Sequence, residues 1–335
     1  MTHPMTHPMT LSSAPAPTPL PAAPAGLQSP ETRGLLWGLL GVVIFAFTLP
    51  MTRLAVGTPE APQMSGLFMA MGRAAIAGVL SALLLWARRA PWPQPQEWRP
   101  LAFTALGVVF GFPLLTSLAM RHVSAVHASV IIGVLPLATA GVGALLHRQR
   151  PSPRFWLCAL LGTAMVVTFA VLRSGSAGLS LHPADLLLLA AVLCAAVGYG
   201  YGARLSQRMP SGSVICWALV ISLPATLPLG AWSWPTAPMP ASAWGALAYV
   251  SVFSMWLGFF AWYRGLALGG TVRVSQIQLV QPFLGMLFSV PLLGESLDGV
   301  SLAFGAAVMA TVVIGRRAPV RPARPIHPGP AAMRG

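Results

Sequence analysis

Ten mostly apolar stretches, each about twenty residues long, constrain this chain more than any other feature. They run at roughly 34–54, 64–86, 100–119, 124–146, 154–172, 183–203, 213–232, 243–263, 273–293 and 298–315. A helix of about 20 such residues crosses the hydrocarbon core of a bilayer. Lipid offers no hydrogen bonds to the backbone, so only helices or closed barrels can span it. These stretches lack the alternation of barrel strands. The expected fold class is therefore an all-α polytopic membrane protein. Composition agrees, with 56% hydrophobic and only 8% charged residues, where a soluble domain carries about a quarter charged.

The charges orient the spans. All 20 basic residues are arginine and the formal net charge is +14. With the N-terminus inside, the inner segments hold Arg33, Arg88, Arg89, Arg99, Arg148, Arg150, Arg154, Arg204, Arg208, Arg264, Arg273 and the five C-terminal arginines. The outer segments hold only Arg53, Arg121 and Arg173, and Arg73 lies within a span. The positive-inside rule then predicts both termini in the cytoplasm of a multi-pass inner (plasma) membrane protein. Arginines scattered between apolar runs, without interleaved aromatics, argue against nucleic acid as a partner. Cys158, Cys194 and Cys216 stand alone within apolar runs, a pattern of packing residues rather than of a disulfide or zinc site.

Four segments follow. Residues 1–33, with the tandem MTHPMTHPMT and an Ala/Pro/Ser stretch, read as a disordered Pro-rich tail. Five helices fill 34–172 and five more 183–315, and 316–335 reads as a disordered basic tail. The two halves repeat weakly. AVHASVIIGVLP (Ala125–Pro136) lies over TVRVSQIQLVQP (Thr271–Pro282) at a shift of 146 residues, pairing Ser129 with Ser275 and Pro136 with Pro282. The copies fall on the fourth and ninth spans. An odd separation of five inverts one half relative to the other, and inverted repeats with helices broken near the midplane mark transporters.

Several motifs resemble the EamA-type members of the drug/metabolite transporter superfamily. FAFTLPMTRLAVG (Phe45–Gly57) is similar to the first-helix pattern, with Phe45 and Ala46 in place of Trp-Gly and Arg53 at the basic position. MGRAAIAGVL (Met71–Leu80) resembles the second-helix pattern with its embedded arginine, and RPSPRFWLCALLG (Arg150–Gly162) the entry into the fifth helix. The proline followed by LLGESL resembles the end of the ninth helix, while Gln149 replaces the glutamate common at the matching place in the first half. The resemblance implies two inverted five-helix repeats and an exporter of amino acids or related small metabolites. It implies no cofactor.

The residues themselves nominate a site. A central arginine costs about 2.5–3.5 kcal/mol on the insertion scale, so Arg73 is expected to face the bundle or water. There it is either an anchor for a carboxylate or phosphate or a structural hub to helix carbonyls. Ser275, Gln278, Pro282, Gly285 and Ser289 share one face of the ninth helix, and Ser129, Ile132, Pro136, Thr139 and Gly143 are their first-half counterparts. Gln278 is expected to line a cavity and Gln281 lies close to that face, whereas Gly285, Thr139 and Gly143 are expected to serve packing. Tyr199 and Tyr201 point to nearly opposite faces, so at most one looks inward. Tyr199 and Trp256 complete the candidate binding residues, and Pro50, Pro136 and Pro282 are the candidate break or gating positions. GVVFG (Gly107–Gly111) has GxxxG spacing for close helix contact. Glu295 falls in the turn after the ninth helix, an outer structural cap or hinge. His122, His127 and His147 near span ends are expected to be solvated.

HExxH, paired embedded acids, a nucleophile elbow and CxxC are all missing from the sequence, so an enzyme is not expected. No metal site is expected. The expected partners are a small-molecule metabolite and the lipid bilayer, with the protein a monomer or homodimer.

Overall fold

A computed structural model describes residues 30–146, 150–173, 182–269, 274–316 and 320–321. Within them the chain is helical almost throughout. The helices are α1 (Pro30–Ala46), α2 (Thr48–Val56), α3 (Gly66–Ala87), α4 (Trp98–Thr104), α5 (Phe112–Ala119), α6 (Ala125–Ile132), α7 (Leu135–Leu146), α8 (Pro153–Arg173), α9 (Pro183–Leu205), α10 (Ser211–Trp232), α11 (Ala241–Tyr249), α12 (Gly258–Gly269), α13 (Gln281–Leu293) and α14 (Gly299–Arg316). Side chains set their ends. Ser65 caps α3 by accepting from the Phe68 amide, and Ser124 caps α6 by accepting from the His127 amide. Asp298 accepts from the Ser301 amide at the start of α14, and Gly294 ends α13 in the left-handed conformation at φ 66°. Such caps satisfy the amides and carbonyls that a helix end leaves open.

Seven helical stretches are long and apolar enough to cross a membrane: Thr32–Val56, Gly66–Ala87, Trp98–Ala119, Ala125–Gly143, Pro183–Leu205, Ser211–Trp232 and Ala241–Gly269. Three shorter apolar helices, Trp156–Val166, Ile277–Leu293 and Gly299–Thr311, stand at the other three expected places. Ten full-length spans are thus not all realised among the described residues. In the ninth position the backbone changes type at Gln281, which leaves α13 thirteen residues long.

Helix pairing follows a two-fold relation between the halves. α1 packs lengthwise on α12, and its counterpart α9 packs on the α4–α5 column. Equivalent helices also pack on each other: α3 with α10, α6 with α13, and α8 with α14. Small residues bring these backbones close. A Cβ on Gly265 would lie 2.7 Å from the Gly38 amide nitrogen, and one on Gly107 would lie 2.4 Å from the Cys194 carbonyl oxygen. GVVFG therefore meets α9 face to face.

Regular helix fails at matching places in the two halves. Between α4 and α5 the residues Ala105–Gly111 wind as π-helix, and between α11 and α12 so do Val250–Leu257. Phe112 N–H reaches the Gly107 carbonyl and Gly258 N–H the Phe253 carbonyl, the five-residue step of that form. In the fourth column the helix breaks at Gly133 and Val134, and Pro136 is the second residue of α7. In the ninth, a 3₁₀ segment Ser275–Val280 gives way to α13, whose second residue is Pro282. The first column breaks at Phe47, with Pro50 third in α2. A proline in the first turn forfeits no helical hydrogen bond, because that amide has no partner there.

One short antiparallel pair joins Arg150–Pro151 to Val320–Arg321. The chain beyond residue 316, expected to be a disordered tail, thus contributes two residues to a strand pairing. Residues 1–29 and 322–335 of the two expected tails, together with His147 and Gln149, lie outside the described residues.

Candidate functional site

The breaks of the first and ninth columns and the two π-segments converge on one cavity. Its walls are Phe45, Thr48, Arg73, Val108, Phe112, Ala195, Tyr199, Ser254, Phe259 and Gln281. Thr48 opens α2 just after the first break, Ser254 lies in the second π-segment and Val108 in the first. Gln281 begins α13 after the ninth-column break, and Arg73 and Tyr199 come from the straight helices α3 and α9. Each departure from regular helix frees backbone groups and turns a side chain into this space. The Thr48 and Ser254 hydroxyls lie 2.8 Å apart and link the first and eighth columns. The space between atoms is about 340 Å³, open solvent included, and nearly all of it is too narrow for a water molecule. A metabolite therefore enters only if the helices part.

Arg73 is the dominant charge of the site. It is 2% exposed, and its Nε and Nη1 have no hydrogen-bond partner. Tyr199 lines the same cavity beside it. The helix-carbonyl hub weighed as an alternative is not formed by these two nitrogens. Aromatic rings enclose the space around it: Phe45 and Phe259 meet edge to face at 5.0 Å, and Tyr199 meets Phe259 at 6.1 Å.

Three of the five candidate binding residues, Arg73, Tyr199 and Gln281, come together here. Gln278 does not line the cavity. It is 1% exposed, and neither atom of its amide has a partner. Trp256 also lies elsewhere, packed on Phe260 with ring centres 5.1 Å apart. It belongs to the second π-segment, whose altered winding brings Ser254 inward instead. Tyr201 turns away from Tyr199, as its spacing requires, and stacks on Phe103 at 4.8 Å. Of the small-residue stripes, Gly285 sits against Ser129 and Pro282 against Gly133, so the two copies of the repeat cross at their breaks. Gly143 has nothing within 4 Å of a Cβ position and serves no close contact.

A second cluster gathers where Asp185, His127 and Glu295 meet, at the end of the bundle expected to face outward. Glu295 spreads its carboxylate over the start of α6, accepting from the Ala125 and Val126 amides at 2.8 Å each. The His127 ring contacts Asp185 at 2.7 Å, with Asp185 1% exposed. The expectation of a solvated His127 is therefore corrected. The N-terminus of α9 packs against α6 and buries the ring against Asp185 and Phe169. Arg53 donates to the Met120 carbonyl and Arg121 to the Met64 carbonyl, at 2.9 Å for the latter. Both arginines tie loops in place. Among the described residues no group of three or more His, Cys, Asp or Glu could hold a metal.

The EamA-like transporter pattern matches residues 32–171 and again 182–315, one copy in each half. The chain belongs to the EamA-like transporter family. Over 290 residues, 85% of this chain and 98% of that one, it is 44% identical to the uncharacterized transporter YdeK of Bacillus subtilis (strain 168). Over 322 residues, 88% of this chain and 94% of the other, it is 24% identical to the inner membrane protein YtfF of Escherichia coli (strain K12). A crystal structure aligns with TM-score 0.59 at 21% identity, covering 85% of this chain and 98% of that one, and this likeness shows the fold. This EamA-family chain is thus a multi-pass helical membrane protein of a transporter family.

Sequence reasoning missed Thr48, Ser254 and the phenylalanines of the cavity. A signal existed for two of them. Ser251 and Ser254 are three apart in an apolar run and so share a face, and Thr48 stands two residues before Pro50. Phe45 stood out only as a motif position, and nothing in the sequence marked Phe112 or Phe259 among the chain's 14 phenylalanines.

Proposed function

We propose that this EamA-family protein is a secondary transporter that exports small metabolites of amino-acid size. Solute would move by alternating access between the two five-helix halves, in an inner (plasma) membrane with both termini cytoplasmic. One observation carries the reading: an unpaired buried arginine, a tyrosine, two hydroxyls and an amide meet where irregular helices of both halves converge. A polar cavity at the junction of inverted, broken helices is the arrangement that lets two halves expose one site alternately. The arginine distribution supports the orientation.

Purified protein in proteoliposomes, supplied with a broad panel of radiolabelled amino acids and related acids, should accumulate at least one solute above protein-free vesicles. A folded protein that moves none of them would overturn the proposal. Reporter fusions at the two termini should both report the cytoplasm, and an outward C-terminus would refute the orientation.

A further inference from the structure

We propose that the Arg73 cavity takes an organic monocarboxylate with an apolar or aromatic body and no ammonium group. The inference rests on the transporter reading and narrows its substrate class. The chain has only six acidic residues, and the five whose side chains are described all lie away from Arg73. Glu60 is exposed in the loop after α2, and Glu97 accepts from the Gln94 amide before α4. Asp185 holds His127, Glu295 the start of α6, and Asp298 the start of α14. Glu31 lies on α1 fourteen residues before Phe45, which is about 21 Å along a helix.

The guanidinium is therefore a buried cation to which the described side chains supply no anion. Taking such a charge out of water is costly unless it is paired and hydrogen-bonded. A bound carboxylate would be that pair, accepting a charge-assisted hydrogen bond from Nε or Nη1, the two nitrogens left open. The same accounting sets the selectivity. A zwitterionic amino acid would bring an ammonium group to a cavity that holds a second cation and no carboxylate. An amine would meet Arg73 with like charge. The remaining walls, Phe45, Phe112, Phe259, Val108 and Ala195, suit an apolar or aromatic body. Thr48, Ser254 and Gln281 can bond a keto or hydroxyl substituent.

The test uses the full chain in detergent, with thermal unfolding read against three probes of one shape: phenylacetate, phenylalanine and phenethylamine. Phenylacetate should raise Tm saturably at millimolar concentration, phenylalanine should bind at least tenfold more weakly, and phenethylamine should not shift Tm. Arg73→Gln should abolish the phenylacetate response, and Arg73→Lys should weaken it. Because the empty cavity leaves the charge unpaired, Arg73→Gln without probe should melt no lower than the parent. A fall would show that Arg73 already has partners in the fold, and would overturn the premise. The parent protein alone decides the class, so a poorly folding variant does not block the test. If phenylalanine or phenethylamine binds as tightly as phenylacetate, the proposal fails. It also fails if phenylacetate has no effect while the proteoliposomes carry another metabolite, and the transporter reading then stands. If the folded protein carries nothing at all, that reading falls with it.

Discussion

At the scale of single residues, the charged groups divide by whether the fold provides them a partner. Glu295 does hold one, the open end of α6, through two hydrogen bonds from backbone amides. A carboxylate there satisfies two orphan donors and favours the positive end of the helix. Glu295→Ala should lose about 1–2 kcal/mol of stability, the range of a lost helix cap, measured by thermal unfolding in detergent. Glu295→Gln, which keeps one acceptor oxygen, should lose less. The buried His127–Asp185 pair obeys a different rule. Removing one member strands the other, so Asp185→Leu or His127→Leu alone should cost about 3–5 kcal/mol. The double variant should recover much of that loss, and a cycle of the four proteins checks it. Strict additivity would refute the coupling.

At the scale of elements, stability rests on how closely helix backbones approach in lipid, where the hydrophobic effect does not drive helices together. The α1–α12 pair depends on Gly38 and Gly265 facing one another. Gly265→Ala places a methyl 2.7 Å from a backbone nitrogen that cannot rotate aside. It should cost about 1–3 kcal/mol, the price of overpacking. Gly245→Ala is the control, since nothing lies within 4 Å of its Cβ position, and it should leave Tm unchanged or slightly raised. Much of this level was legible. Apolar runs near twenty residues, proline positions and GxxxG spacing foretold where helices lie, where some break and where one pair closes. The π-segments were not legible. Ala105–Gly111 and Val250–Leu257 carry no proline, and the two serines of the second mark a polar face but no change of winding. Their extra residue per turn is selected by the helices packed around them.

At the scale of the whole molecule, the two halves meet where Ser129 of α6 faces Gly285 of α13. A Cβ on Gly285 would lie 3.7 Å from the Ser129 Cβ, close to the mean of about 3.8 Å in disulfides. Ser129→Cys with Gly285→Cys, in a background whose native cysteines are replaced, should cross-link on oxidation. Alternating access requires the halves to move past each other, so the oxidised protein should stop transporting and reductant should restore it. Transport at the reduced rate in fully cross-linked protein would show that motion does not occur at this crossing.

What the sequence alone determined is what each residue decides locally or statistically. Apolar length set the helical class, the prolines at 136 and 282 marked a repeat, and the arginines supply the orientation proposed above. Arg73 stood out because a charge inside an apolar run is costly wherever the run packs. What only the tertiary structure decided is which side chains share a space. Arg73, Tyr199 and Gln281 lie far apart along the chain, yet they converge with Thr48 and Ser254. Gln278 and Trp256 lie near members of that group in sequence and do not line the cavity. A helical face can be read from spacing only while the winding stays regular. Here the winding changes to π at Val250–Leu257 and to 3₁₀ at Ser275–Val280, and each change rotates the face that spacing would have assigned.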